Sequence, residues 1–143
     1  MKRYRFGLNG VLRLRQMQEE QTRAAMLDAE RAAEAATAEL NARLTAIGAA
    51  RADVGRRSGP EFQHQRDQLE RHALAVGAAR ASEANALSAM RVARSAWEEA
   101  AKAVRALERL DERKREAWTL ETTRAAQLAT DEVAQTHHGR EVR

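Results

Sequence analysis

Large apolar residues recur along this chain at three- and four-residue steps rather than at every second position, the spacing of a helix stripe and not of a strand. In the first third, Leu8, Leu12, Met26, Ala29, Ala33, Ala36 and Leu40 share one frame. Leu44, Ile47 and Val54 follow after a step of four where three was due, a discontinuity that disturbs a left-handed supercoil locally. Farther on, Phe62, Leu69, Ala73 and Val76 fit a frame, and so do Leu87, Met90, Trp97, Ala101 and Val104. The frame then drifts through Leu107, Leu110, Trp118, Ala125 and Leu128. Arg15, Glu19, Arg80 and Arg94 interrupt the stripe.

Between the two patterned stretches lies Gly55-Arg56-Arg57-Ser58-Gly59-Pro60, which holds two glycines and the only proline. Proline cannot continue a helix from before it but suits the first turn of a new one, with Ser58 or Gly59 as its cap. The pattern therefore predicts helix one over about 9–54, with Asn9 as a plausible N-cap, a turn at 55–60, and helix two over about 61–135. Gly77 is the one breaker inside helix two, so a short extra helix at the tip could separate there. Glu19–Arg23, Glu39–Arg43, Asp67–Arg71, Glu98–Lys102 and Asp111–Arg115 each place an acid four residues before a base, the order that supports helix.

Two helices with exposed stripes and a short break between them fold back on each other most simply. The expected fold class is all-α: a long two-helix antiparallel coiled-coil hairpin, a single coiled-coil domain over 1–143. Helix two is the longer, and its part beyond about Arg105 must project past helix one or meet another molecule.

Composition agrees with a thin seam. Hydrophobic residues make up 43%, but roughly one residue in five is Ala and aromatics reach only 3%. That is too little bulk for a thick core and enough for a seam between helices. Charged residues are 32% with both signs interspersed, and the dominance of Ala, Glu, Arg and Leu favours helix over disorder. The net charge is +4, yet Lys2, Arg3, Arg5, Arg13 and Arg15 open the chain without an acid among them. There is no Cys, which excludes a disulfide framework and a thiol nucleophile and fits a reducing compartment. No apolar run approaches the ~20 residues that span a bilayer, and no apolar stretch follows the basic start as in a secretory signal. A cytoplasmic location without membrane insertion is the expectation.

Chemistry is not expected. No phosphate loop, dinucleotide fingerprint or His-Glu-x-x-His pattern occurs. His137 and His138 fall in a polar tail, and His64 and His72 lack carboxylate or Cys partners at ligand spacing. The pairs Glu19-Glu20, Glu98-Glu99 and Asp131-Glu132 read as solvated helix faces. The chain reads as a protein with no catalytic, cofactor or metal site. The basic start would suit an acidic protein surface, an acidic membrane surface or nucleic acid. Balanced charge elsewhere and the lack of a basic region running into a leucine zipper weigh against nucleic acid.

Several stretches in order resemble one family. Phe6-Gly7-Leu8-Asn9-Gly10-Val11-Leu12-Arg13-Leu14-Arg15, then Glu19-Glu20, is similar to the F-x-L-x-x-V-L-x-L-R opening of the FliJ family. Phe62-Gln63-His64-Gln65 before Leu69-Glu70 resembles its Gln-rich approach to helix two. The run Leu107–Glu116 resembles its Leu-x-x-Leu-x-x-Arg/Lys-x-x-Glu stretch, and Asp131-Glu132-Val133-Ala134 its ending.

The resemblance implies a component of the flagellar type III export apparatus, cytoplasmic and peripherally associated with the inner membrane. It implies a stalk that inserts into the hexameric export ATPase FliI, much as a γ subunit enters a rotary ATPase. It also implies contact with the export gate protein FlhA and with export chaperones. Carried over to this chain, the ATPase contact would use Leu8, Leu12, Arg13, Leu107, Leu110, Arg113 and Arg115. The gate contact would use Phe62, Gln65 and Leu69. At the tip, Gln65 stands where relatives often carry an aromatic, and Ala46 and Ala50 where some carry larger residues. The equivalent stalk of a virulence-type secretion system, and a generic coiled-coil scaffold, are the competing readings.

Overall fold

Strong helix formers on both sides of the glycine-proline segment give two helices in the computed structural model, which describes residues 3–52 and 59–141. They are α1 (Asn9–Ala52) and α2 (Gly59–Glu141), and no strand occurs among the described residues. The first helical hydrogen bond runs from Leu12 N–H to the Leu8 carbonyl, so the capping position falls on Leu8, one residue before Asn9. Gly59 and Pro60, expected in the turn, open α2 instead, consistent with proline's fit to a first helical turn. The rest of the expected turn, 55–58, lies outside the described residues. At the other end α2 continues past Gln135.

The described chain divides into two compact units: Met1–Gln18 with Ala100–Arg143, and Glu19–Glu99. In the second of these the helices pack antiparallel. As the α1 partner steps back from Thr37 to Glu30 to Glu19, its α2 partner advances from Glu83 to Arg94 to Trp97. The centre of this unit is a cluster of Leu40, Ile47, Val76 and Ala79. No large side chain in it is fully enclosed, because two helices bury each seam residue on one side only.

The buried positions follow a stricter rule than the large apolar residues do. On α1, Met26, Ala33, Leu40 and Ile47 are buried at intervals of seven, with Leu12 and Glu19 half-buried in the same frame. The step at Leu44 therefore breaks nothing: Leu44 is at the edge of the stripe, 38% exposed. On α2 the covered positions alternate four and three: Gln65, Leu69, His72, Val76, Ala79, Glu83, Ala86, Met90, Ala93 and Trp97. In the unit of chain ends the same alternation marks Ala100, Val104, Leu107 and Asp111. Four of these positions are polar or charged, which is why the sequence pattern seems to drift where the packing does not.

Two carboxylates of the seam, Glu83 and Glu19, are paired across it. Thr37 Oγ1 donates to Glu83 Oε1 at 2.9 Å, and Trp97 Nε1 donates to Glu19 Oε1 at 2.6 Å. Neutral donors thus satisfy carboxylates that would otherwise lose hydration, a loss costing roughly 1–3 kcal/mol or more apiece. Arg94, which interrupts the stripe in sequence, stays exposed and reaches over to Glu30 at 2.6 Å. Arg15 and Arg80 are exposed too.

α2 runs through Gly77 without interruption, so no separate tip helix forms. Val76 and Ala79, buried on either side of it, hold that turn in place. Their packing outweighs the roughly 0.5–1 kcal/mol by which glycine weakens a helix interior. A Cβ at position 77 would meet nothing within 4 Å, and φ there is not positive. Gly77→Ala is therefore expected to raise unfolding stability by about 0.5–1 kcal/mol. Ile47→Ala should lower it by about 2 kcal/mol or more. Urea unfolding followed by far-ultraviolet circular dichroism reads both, and a destabilising Gly77→Ala would mean that residue 77 is a genuine helix joint.

Candidate partner-binding surfaces

Each of the residues assigned to the ATPase contact belongs to the unit of chain ends, Met1–Gln18 with Ala100–Arg143. They are not equivalent there. Leu12, Leu107 and Leu110 are half-buried, whereas Arg13, Arg113 and Arg115 are exposed and Leu8 is 37% exposed. The three leucines build the unit from within; only the other four present side chains outward. Beside them the first turns of α1 expose apolar residues outside that assignment: Val11, Leu14 and Met17. On α2, every residue from Thr119 to Glu132 is exposed, including Leu120 and Leu128.

The non-helical segment before α1 is fastened to α2 by one side chain that the sequence pattern did not reveal. The Tyr4 hydroxyl donates to Asp111 Oδ1 at 2.7 Å and lies 3.2 Å from the Asp111 backbone carbonyl. Its ring packs on Trp118, with centroids 5.9 Å apart and planes tilted by 52°, near the edge-to-face geometry that ring quadrupoles favour. The Arg115 guanidinium stands 5.7 Å from the same ring and 3.2 Å from Asp111 Oδ2. Trp118 is accordingly half-buried, not a free anchor, while Leu120 remains 59% exposed. Tyr4, Arg5, Phe6, Asn9, Asp111 and Arg115 line an open concavity of about 430 Å³. Its one carboxylate is already engaged by Tyr4 and Arg115.

Burial of the ring raises the Tyr4 pKa above its ordinary value, and so do the hydrogen bond to Asp111 and that residue's negative charge; Arg115 opposes them. The neutral phenol is thus the form that the folded unit favours.

The residues assigned to the gate contact lie in the unit Glu19–Glu99, in the first three turns of α2. Phe62 is 61% exposed, a large aromatic left in solvent. Leu69 is half-buried, and Gln65 is buried at 8% exposure, on the seam side of the helix. Gln65 therefore faces the seam rather than solvent. In the same unit, Glu30, Glu34, Thr37, Leu87, Met90 and Arg94 flank a shallow groove of about 570 Å³, floored by the small residues of the seam. No group of three or more potential metal ligands occurs among the described residues.

A family model described as flagellar FliJ protein matches residues 4–143. The chain belongs to the FliJ family. Membership makes it a component of flagellar protein export. The FliJ match takes in both parts of the unit of chain ends and the exposed Phe62. No curated protein and no solved structure matches the chain. No helix of this FliJ-family chain is long and apolar enough, among the described residues, to cross a membrane.

Tyr4 is the only tyrosine, so phenolate absorbance titrates the fastening directly. Its contribution is fully present below the ordinary phenol pKa of about 10 and is lost as pH rises through the raised folded value. The expected midpoint lies above that of free tyrosine, and Asp111→Asn, which removes the charge, brings it down. A wild-type midpoint at or below the free value would show that Tyr4 is not docked on Asp111 in solution.

Proposed function

We propose that this chain is the stalk of the flagellar export ATPase. The unit of chain ends enters the central hole of the FliI hexamer, the stretch around Phe62 contacts the gate protein FlhA, and the chain also engages export chaperones. It works in the cytoplasm, beside the inner-membrane export apparatus. Family membership supports the export role, and one observation about the surface supports the ring contact. Both chain ends join in a single unit whose α1 start carries uncovered apolar and basic side chains together.

In this reading Leu8, Arg13, Arg113 and Arg115 touch the ring. Leu12, Leu107 and Leu110 hold the two helices at the spacing that presents them. A ring lined by several subunits meets such a unit from all sides. A surface studded with charged and apolar side chains suits that geometry better than it suits one globular partner. At the gate contact, Phe62 is the natural anchor, because an exposed aromatic gains most from burial at an interface. Leu69 backs it, and Gln65 positions the turn from below.

Reconstitution with purified FliI tests the ring contact. The wild-type chain is expected to promote hexamer formation and to raise the ATPase rate. Arg13→Glu combined with Arg113→Glu should raise the concentration needed by at least roughly tenfold, since two interface charges are reversed. Hexamer formation and ATPase rate that ignore the wild-type chain would exclude the stalk role. Phe62→Ala should weaken binding to the soluble part of FlhA by about tenfold, a typical loss for an aromatic anchor. The same variant should leave the effect on FliI unchanged; equal loss of both would point to a folding defect instead of a contact.

A further inference from the structure

One side of α2 in the unit Glu19–Glu99 serves neither contact of the stalk reading. The seam positions Val76, Ala79, Glu83, Ala86 and Met90 are covered there. A second stripe keeps the same alternation of four and three: Leu74, Ala78, Ala81, Asn85, Ser88 and Val92. At about 100° per residue the two stripes are centred roughly 160° apart, so the second one looks away from the seam. All six of its residues are exposed. Leu74 is 76% exposed and Val92 68%, and they stand on one line of the helix, about five turns apart.

The stripe carries no charge, although 32% of the chain is charged. A merely solvated face has no reason to avoid Glu, Lys and Arg, which form helix better than Asn or Ser. Large apolar residues at two levels with small ones between them let a neighbouring helix approach closely. The charges that border the stripe have one sign. From Arg71 to Trp97, α2 carries Arg71, Arg80, Glu83, Arg91 and Arg94. Glu83 is engaged by Thr37 and Arg94 by Glu30, both on α1. Arg71, Arg80 and Arg91 remain, exposed and without an ion pair among the described residues. Arg71 falls on one flank of the stripe, and Arg80 and Arg91 on the other.

We propose that this face of α2 docks an amphipathic helix of a partner protein, with small and apolar residues along its stripe and carboxylates along both flanks. Leu74 and Val92 hold the partner helix at two levels, and the small residues between them admit its backbone. Arg71, Arg80 and Arg91 meet its carboxylates. The same features reject other occupants. A second copy using this face would set arginine flank against arginine flank, in either orientation. A lipid surface would strip water from Asn85 and Ser88 in exchange for only two large apolar side chains. Nucleic acid has phosphates for the three arginines but leaves Leu74 and Val92 in water.

Fluorescence anisotropy with a labelled synthetic helix of about 24 residues, matched to the stripe in length, tests this on the full chain. The probe has Leu and Ala on one face and Glu along both flanks, and a control probe has Lys in place of Glu. The Glu probe is expected to bind and the Lys probe is not. Arg80→Glu with Arg91→Glu should weaken the Glu probe at least roughly tenfold and let the Lys probe bind. Leu74→Ser with Val92→Ser should weaken the Glu probe by about tenfold or more. These positions are exposed and outside the ring and gate contacts, so helical circular dichroism and the response of FliI are expected to stay at wild-type level. Failure of the stalk reading and failure of this proposal are thus told apart. In cells assembling the export apparatus, a photocross-linker at position 81 is expected to capture an acid-flanked helix of another protein. A cross-link to any other kind of segment, a second copy of this chain included, overturns the proposal. So does a Glu probe that fails to bind, or a Lys probe that binds as tightly.

Discussion

Everything in this protein depends on a narrow seam that mixes alanines with larger side chains. Ala33, Ala79, Ala86, Ala93 and Ala100 let the helices approach closely, but each contributes little apolar area. A seam of alanines alone would also hold many registers almost equally well. The larger residues, Leu40, Ile47 and Val76, supply burial at one level. The hydrogen bonds of Glu19 with Trp97 and Glu83 with Thr37 supply the register. A slip by one heptad would leave each of those carboxylates facing the wrong neighbour with its hydration gone, and that penalty is larger than anything an alanine layer could return.

A thin seam leaves most of each described helix facing solvent. No large side chain among the described residues is fully enclosed. The chain's capacity lies in outward-facing side chains held at a fixed spacing. Family membership places the chain in flagellar protein export. Within the unit of chain ends, the difference between Leu12 and Leu14 shows how closely the two duties sit. One leucine belongs to the seam and the other, two residues on, is 54% exposed.

The candidate site was legible in part. Motif resemblance picked out residues of one unit from opposite ends of the chain, which periodicity could not have done. It did not separate contact from support, because a motif records which residues recur and not which way they face. Gln65 and Leu107 point into the packing, while Phe62 and Arg113 do not. Tyr4 went unnoticed altogether. Its partners Asp111 and Trp118 are more than a hundred residues away, and a contact at that distance leaves no periodic trace. The one available signal was that the sole tyrosine lies just outside the helical pattern.

Local pattern alone decided that this chain is helical, that it breaks near its only proline and that its two stretches pair. Those features follow from helix propensity, three-four spacing and the geometry of proline, all of which act within a few residues. Only the tertiary structure decided that Gly77 stays inside a continuous helix and that the frame holds steady through Glu83 and Asp111. Only it fastened the N-terminal segment to α2. The reason is the same in each case: a glycine or a carboxylate is unfavourable where it stands until packing or a partner from elsewhere in the chain compensates it, and which partner arrives depends on how the chain folds back.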